Sequence, residues 1–138
     1  MLFLGPPGSG KSDLVLRLLG LGWQLVADDQ VRLSPPGGVA APAALAGQLE
    51  VRGLGIFSGL RCAGPPLGPP PVLRLAIECL GPGHAPPRLP EPRRWSQGGV
   101  TLPLVSLAAL EASAPAKVEW ALDAVLGLRA QAAGAFAG

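Results

Sequence analysis

Eight residues near the start of the chain constrain it more than any other stretch. Gly5-Pro6-Pro7-Gly8-Ser9-Gly10-Lys11-Ser12 fills the pattern G-x-x-x-x-G-K-[ST]. An apolar run at 1–4 precedes it, and 13–19 places apolar residues at helical spacing around Arg17 before Gly20. The order predicts strand, glycine loop and helix. Such a loop holds a polyphosphate: its glycines let backbone N–H groups turn inward as an anion nest, and the helix beginning near Lys11 adds its positive dipole end. Gly5, Gly8, Ser9, Gly10, Lys11 and Ser12 are the candidate binding residues. In this chemistry the lysine bridges the β- and γ-phosphates and the Ser12 hydroxyl joins a Mg²⁺ shell.

A glycine loop also occurs in disordered chains, and this one has 20 glycines and 17 prolines among 138 residues. Their placement decides the matter. Segments 5–10, 35–38, 59–71 and 81–92 hold 24 of those 37 residues, so the breakers separate elements rich in Leu, Ala and Val. With 49% hydrophobic and 14% charged residues the chain can bury a core. A net charge of +2 sets up no field for nucleic acid or anionic lipid. No apolar run is long enough to span a membrane, and no basic segment leads into an apolar one, so a cytoplasmic protein is expected. Cys62 and Cys79 form no CxxC pair and read as reduced thiols.

Further along, 24–29 reads as a second buried strand ending in Asp28 and Asp29. Placed at the carboxyl edge of a sheet, two neighbouring acids point to opposite sides. One can face a transferred phosphoryl group as base while the other supports the metal or the fold. Residues 31–33 and 39–41 read as a hairpin, 43–46 as a single helical turn, and 49–52 as a strand with Leu49 and Val51 on one side and Glu50 and Arg52 on the other. Glu50 and Arg52 then form either a metal-binding carboxylate beside a phosphate-steadying cation or a plain surface ion pair. The alternation of Leu73, Leu75, Ile77 and Cys79 against Arg74 and Glu78 predicts a strand with one buried face. Residues 100–104 form another, which Pro103 places at an edge or bend. A helix is expected from Ser113, with Pro115 in its first turn, to near Gly127. The catalytic unit is read as 1–129, and 130–138 as a disordered tail.

The loop with Asp13-Leu14, then Gly22-Trp23-Gln24-Leu25-Val26-Ala27-Asp28-Asp29, then Leu49-Glu50-Val51-Arg52-Gly53-Leu54-Gly55-Ile56 follow one another in an order that resembles the catalytic domain of HPr kinase/phosphorylase. The last block is the most specific of the three. The resemblance covers 1–56 well, and the later segments look like short single-domain versions from alphaproteobacteria. It implies an α/β fold, a P-loop nucleotide-binding domain with a mixed β-sheet and flanking helices, similar to the HPr kinase and phosphoenolpyruvate carboxykinase nucleotide-binding fold. It also implies an ATP- and Mg²⁺-dependent protein-serine kinase acting on HPr, a phosphocarrier of a phosphotransferase system, with phosphorolysis as the reverse step. Self-association, as a hexamer in the family, is implied as well.

Residue by residue, the resemblance gives Lys11 the P-loop lysine's role and Asp28 that of the aspartate accepting the serine proton. Ser12 and Glu50 match magnesium ligands, with Asp29 beside them as the second acid of its pair. Arg52 lies in the signature block, and Arg88 matches a later catalytic arginine. The family's catalytic histidine lies on a strand before the loop. Only eleven residues precede Ser12 here, so the reading is of a chain lacking that strand, and His84 does not take the role. The arginine-and-glycine loop that longer members use for dephosphorylation is replaced by 106–114. Two other readings stay open: a nucleotide-binding sensor module without catalysis, and a small-molecule P-loop kinase.

Overall fold

The computed structural model describes residues 1–137. Strand β1 (Leu2–Leu4) leads through the glycine loop into helix α1 (Lys11–Gly20). Two small hairpins follow. The first joins β2 (Arg32–Ser34) to β3 (Gly38–Ala40); the second, after a 3-10 turn at Ala43–Leu45, joins β4 (Leu49–Val51) to β5 (Gly55–Phe57). The chain continues as β6 (Ala76–Leu80), β7 (Arg93–Gln97), β8 (Val100–Ala108) and helix α2 (Ala114–Val125).

The main sheet has the order β1-β6-β8-β7, with β1, β6 and β8 parallel and β7 antiparallel at one edge. This is the expected α/β arrangement with a mixed sheet. Both helices pack on one face, where Leu14, Leu18 and Val118 meet Leu75, Ile77, Cys79, Val105 and Leu107. The other face carries Ala76, Leu102, Leu104 and Trp95 and is covered by Val39, Leu33 and Val26. Strand β6 is therefore buried on both sides, as central parallel strands are. The expectation of a single buried face came from two polar positions, but Arg74 precedes the strand and Glu78 lies near its carboxyl end.

The carboxyl ends of β1, β6 and β8 share one edge, so three connections meet there: the glycine loop, the turn at Gly81 and the turn at 109–111. They are close enough that a side chain at Gly10 would strike Leu110 at 2.9 Å. Arg17 fastens the far side. One of its guanidinium nitrogens donates to the Glu111 carbonyl at 3.0 Å and the other to the Ala109 carbonyl. Its Nε lies 2.9 Å from the Asp13 carboxylate, a half-exposed i,i+4 pair on α1.

Several expectations change. Residues 24–29 do not form a strand; only Leu25 bridges, in parallel to Cys62, and the Ala63 N–H donates to the Leu25 carbonyl at 2.8 Å. The partner segment runs directly into Gly64-Pro65-Pro66, which stops the pairing after that bridge. Asp29, at φ 67°, bends the backbone out of the extended region. Asp28 and Asp29 thus sit in a turn, not at a strand end. Arg52 lies in the turn after β4, so it does not share a strand face with Glu50. Strand β8 continues to Ala108, and β6 pairs with it only from Leu104, so Pro103 has one open flank inside an otherwise central strand. Within the stretch expected to fray, Ala135 is buried against the helical side and the Phe136 N–H donates to Gln131 Oε1 at 2.7 Å. Gly138, the last residue of that expected tail, lies outside the described residues. Among the described residues no helix is long and apolar enough to cross a membrane.

Candidate active site

The glycine loop hangs from the end of β1 and turns directly into α1. Its bend is closed by the Ser9 N–H donating to the Pro6 carbonyl at 3.1 Å. Gly10 is the residue before the helix, at φ 88°, a left-handed conformation that a Cβ would strain even without Leu110 in the way. Gly5 is needed for closeness, since a Cβ there would lie 2.5 Å from Ser9 Oγ and 3.1 Å from the Cys79 carbonyl. Ser9 itself is buried, and its hydroxyl has no partner among the described residues.

The first N–H groups of α1 have no acceptor within the helix, and the dipole adds positive potential in front of them. Half-buried Lys11 points its ammonium back across the loop to donate to the Gly5 carbonyl at 3.2 Å. Among the described residues it takes part in no salt bridge. A cation with one neutral carbonyl partner, at the head of a helix whose leading amides are free, is the donor set that an anion of phosphate type satisfies. Cys79, below the loop, adds no nucleophile. Burial pushes its thiol up to about 11, and nearby Glu78 adds to this while the Lys11 charge pulls the other way. It stays a neutral thiol near pH 7.

Asp28 and Asp29 arrive from a different direction. The Gln30 N–H donates to the Asp28 carbonyl at 2.8 Å across Asp29, closing a three-residue turn whose central residue has positive φ. Backbone of this kind stores strain, and aspartate is among the few residues that tolerate it. The Asp28 carboxylate accepts the Glu50 main-chain N–H on Oδ2 at 3.0 Å. Both acids, together with Gly5, Lys11 and Ser12, line one cavity of about 420 Å³. Strand geometry did not bring them there, but they and the phosphate loop's cation face a common space.

Glu50 joins this site through its backbone, while its exposed side chain makes no hydrogen bond or ion pair among the described residues. Arg52 and Arg88 are exposed, on the β4–β5 turn and in a bend after β6, and neither lines the cavity. Among the described residues no group of three or more His, Cys, Asp or Glu side chains is assembled for a metal. Magnesium asks for no such cluster, since it is commonly held by one or two carboxylates together with substrate phosphates. Of the three expected magnesium ligands, Ser12 and Asp29 line the cavity, whereas the exposed Glu50 side chain is not part of its lining.

One cluster had not been read from the sequence. Ser106, on β8, donates to Glu78 Oε1 at 2.7 Å and accepts from Arg93 Nη1 at 3.0 Å; Arg93 Nη2 lies 3.8 Å from Glu78 Oε2. These three strands are tied together near the edge where the loops converge. The available signal was a polar residue at matching depth in each of two apolar strands.

No family model matches the chain. It is similar to the HPr kinase/phosphorylase of Clostridium novyi, 46% identical over 60 residues, and to that of Bordetella pertussis, 48% identical over 61. Each match covers 41% of this chain and 20% of the relative, so the matched stretch spans about a fifth of those proteins. The solved structure of the HPr(Ser) kinase/phosphatase from Coxiella burnetii superposes with a TM-score of 0.69 at 23% identity, covering 91% of this chain and 82% of that one. The resemblance drawn from the loop and the Leu49–Ile56 block is borne out, and the fold is that of the Coxiella protein.

Proposed function

We propose that this chain is the phosphoryl-transfer unit of an ATP- and Mg²⁺-dependent protein-serine kinase whose acceptor is a phosphocarrier of the HPr type. The observation that carries the reading is that Lys11, Ser12 and Asp28 line one cavity. Phosphoryl transfer asks a protein for little covalent chemistry; it needs the phosphates held, the developing charge met and the acceptor hydroxyl oriented. The free amides and dipole of α1 hold the phosphate tail. Lys11 exchanges its Gly5 carbonyl contact for the β- and γ-phosphate oxygens. The Ser12 hydroxyl, with Asp29 and Glu50 as carboxylates, would hold Mg²⁺, which would supply charge neutralisation on the transferring group. Asp28 accepts the proton of the acceptor serine as that oxygen bonds to the γ-phosphorus and ADP departs; phosphorolysis would return the same proton.

The Asp28 step contributes about 10²–10⁴-fold, as positioned general bases do. Arg52 and Arg88 can act on the phosphoryl group only if their exposed turns close over the loaded site. A cytoplasmic location and self-association accompany the same resemblance. The test is to incubate the purified chain with ATP, Mg²⁺ and the cognate HPr-type protein and to weigh the products. A gain of one phosphoryl group on a serine of the acceptor is expected. ATP binding with no transfer to that protein, or transfer to a metabolite alone, would overturn the proposal.

A further inference from the structure

We infer that Glu50 acts in the reaction through its main-chain N–H, as a positioning residue that aims the Asp28 carboxylate. This rests on the reading of Asp28 as the proton acceptor. Glu50 stands opposite Ile56 in the β4–β5 pair, yet its N–H leaves the hairpin and donates to Asp28 Oδ2 at 3.0 Å. Glu50 and Ile56 are therefore a non-hydrogen-bonded pair, and the ladder does not use that donor. Strand β4 is anchored by buried Leu49 and lies beside α1, the helix whose first residues are Lys11 and Ser12. The donor and the phosphate loop thus share one support.

Asp28 is held from its other side by the turn over Asp29. With its backbone fixed by that turn and Oδ2 turned to the Glu50 N–H, Oδ1, which accepts no hydrogen bond among the described residues, is the oxygen set to take a proton from a hydroxyl in the cavity. A free carboxylate would swing about its side-chain bonds and present either oxygen over a range of angles. Small errors of placement at a reacting centre are costly in rate. The Leu49–Ile56 block thereby contributes a backbone donor to the catalytic geometry in addition to any side chain.

Two variants at the same position separate the N–H from the carboxylate. Glu50→Ala and Glu50→Pro both lack the carboxylate, but only proline lacks the donor, and the outward N–H lets proline stand in β4 without breaking a ladder bond. At saturating ATP and Mg²⁺, kcat for serine transfer is expected to be about tenfold lower in Glu50→Pro than in Glu50→Ala, a part of the roughly 10²–10⁴-fold that a placed base supplies. KM for ATP should match between the two. Equal kcat values, or a difference confined to KM, would overturn the inference.

Should either variant be inactive or unfolded, hydrogen exchange of the Glu50 amide decides. It is expected to be slow in the native chain and released in Asp28→Ala, and exchange unchanged by that substitution refutes the contact. If Asp28→Asn keeps full transfer, the underlying base assignment fails instead, a result distinct from either of these.

Discussion

The Lys11 ammonium lies 3.2 Å from the Gly5 carbonyl oxygen, so the one cation of the glycine loop spans that loop from its last turn back to its first residue. That contact holds the charge beside the free amides of α1 and leaves it exchangeable. Replacing the lysine by methionine keeps most of the side-chain volume and removes the charge. Lys11→Met is expected to fold normally and to lose about 10²–10³-fold in kcat/KM for ATP, the scale for removing one donor to a transition-state oxyanion. Steady-state kinetics with thermal melting as control measures it; activity within a factor of a few of the native chain would show that Lys11 does not touch phosphate.

Gly10 meets two constraints that a pair of variants can separate. Gly10→Ala places a Cβ at φ 88° and within 2.9 Å of Leu110. The left-handed backbone alone costs an L-residue about 1–2 kcal/mol. Leu110 is half exposed, so trimming it to alanine should restore the steric share and leave the backbone share. Chemical denaturation is expected to show Gly10→Ala destabilised and the double variant partly recovered. Full recovery would mean that the backbone conformation costs nothing here.

The buried thiol gives a pH dependence of definite sign. Cys79 is raised to about 11 from an ordinary value of 9.0, chiefly by burial. The unfolded chain therefore releases this proton first. The contribution is intact below about pH 9 and declines as pH rises toward 11, by roughly 2–3 kcal/mol in all. Denaturant unfolding across that window should slope downward in the native chain and less so in Cys79→Ala, whose lower absolute stability does not affect the slope comparison. Identical slopes would contradict this assignment. Alkylation near pH 7 should leave Cys79 unmodified in the folded state.

Ser106 is the middle of the bridge from Glu78 to Arg93. Ser106→Ala should cost about 1–3 kcal/mol, because removing one partner leaves others imperfectly paired. The two charged ends are each close to half exposed, so Arg93→Ala should cost less. Equilibrium unfolding of both variants gives the ranking, and the opposite order would place the stabilisation in the ion pair.

How much of this was legible in the sequence varied with the range of the interaction. The glycine loop, its helix and the strand at Leu49 are local patterns whose spacing carries their geometry, and they were readable directly. The β7–β8 hairpin was not read from the sequence, although its turn was legible. Gly98 and Gly99, at φ 58° and 76°, form a two-residue turn between paired Gln97 and Val100, although polar Arg93–Gln97 offers only Trp95 as an inward apolar residue. The Asp28 turn was not legible. Leu25-Val26-Ala27 looks like a strand to any periodicity argument, and the pairing that stops at one bridge to Cys62, with the positive φ at Asp29, decides otherwise. The identity of the acids was visible in the sequence, whereas the hold of the Glu50 N–H on Asp28 is a tertiary contact that no local pattern carries.

The central claim is that the Asp28 carboxylate faces the phosphate loop across a shared cavity and takes the acceptor's proton. The most direct measurement compares the native chain with Asp28→Asn, reading ATP affinity by calorimetry and single-turnover transfer to the HPr-type acceptor in parallel. The expected result is unchanged ATP affinity with transfer slowed by about 10²–10⁴-fold. Transfer at the native rate, with ATP still bound, would contradict it.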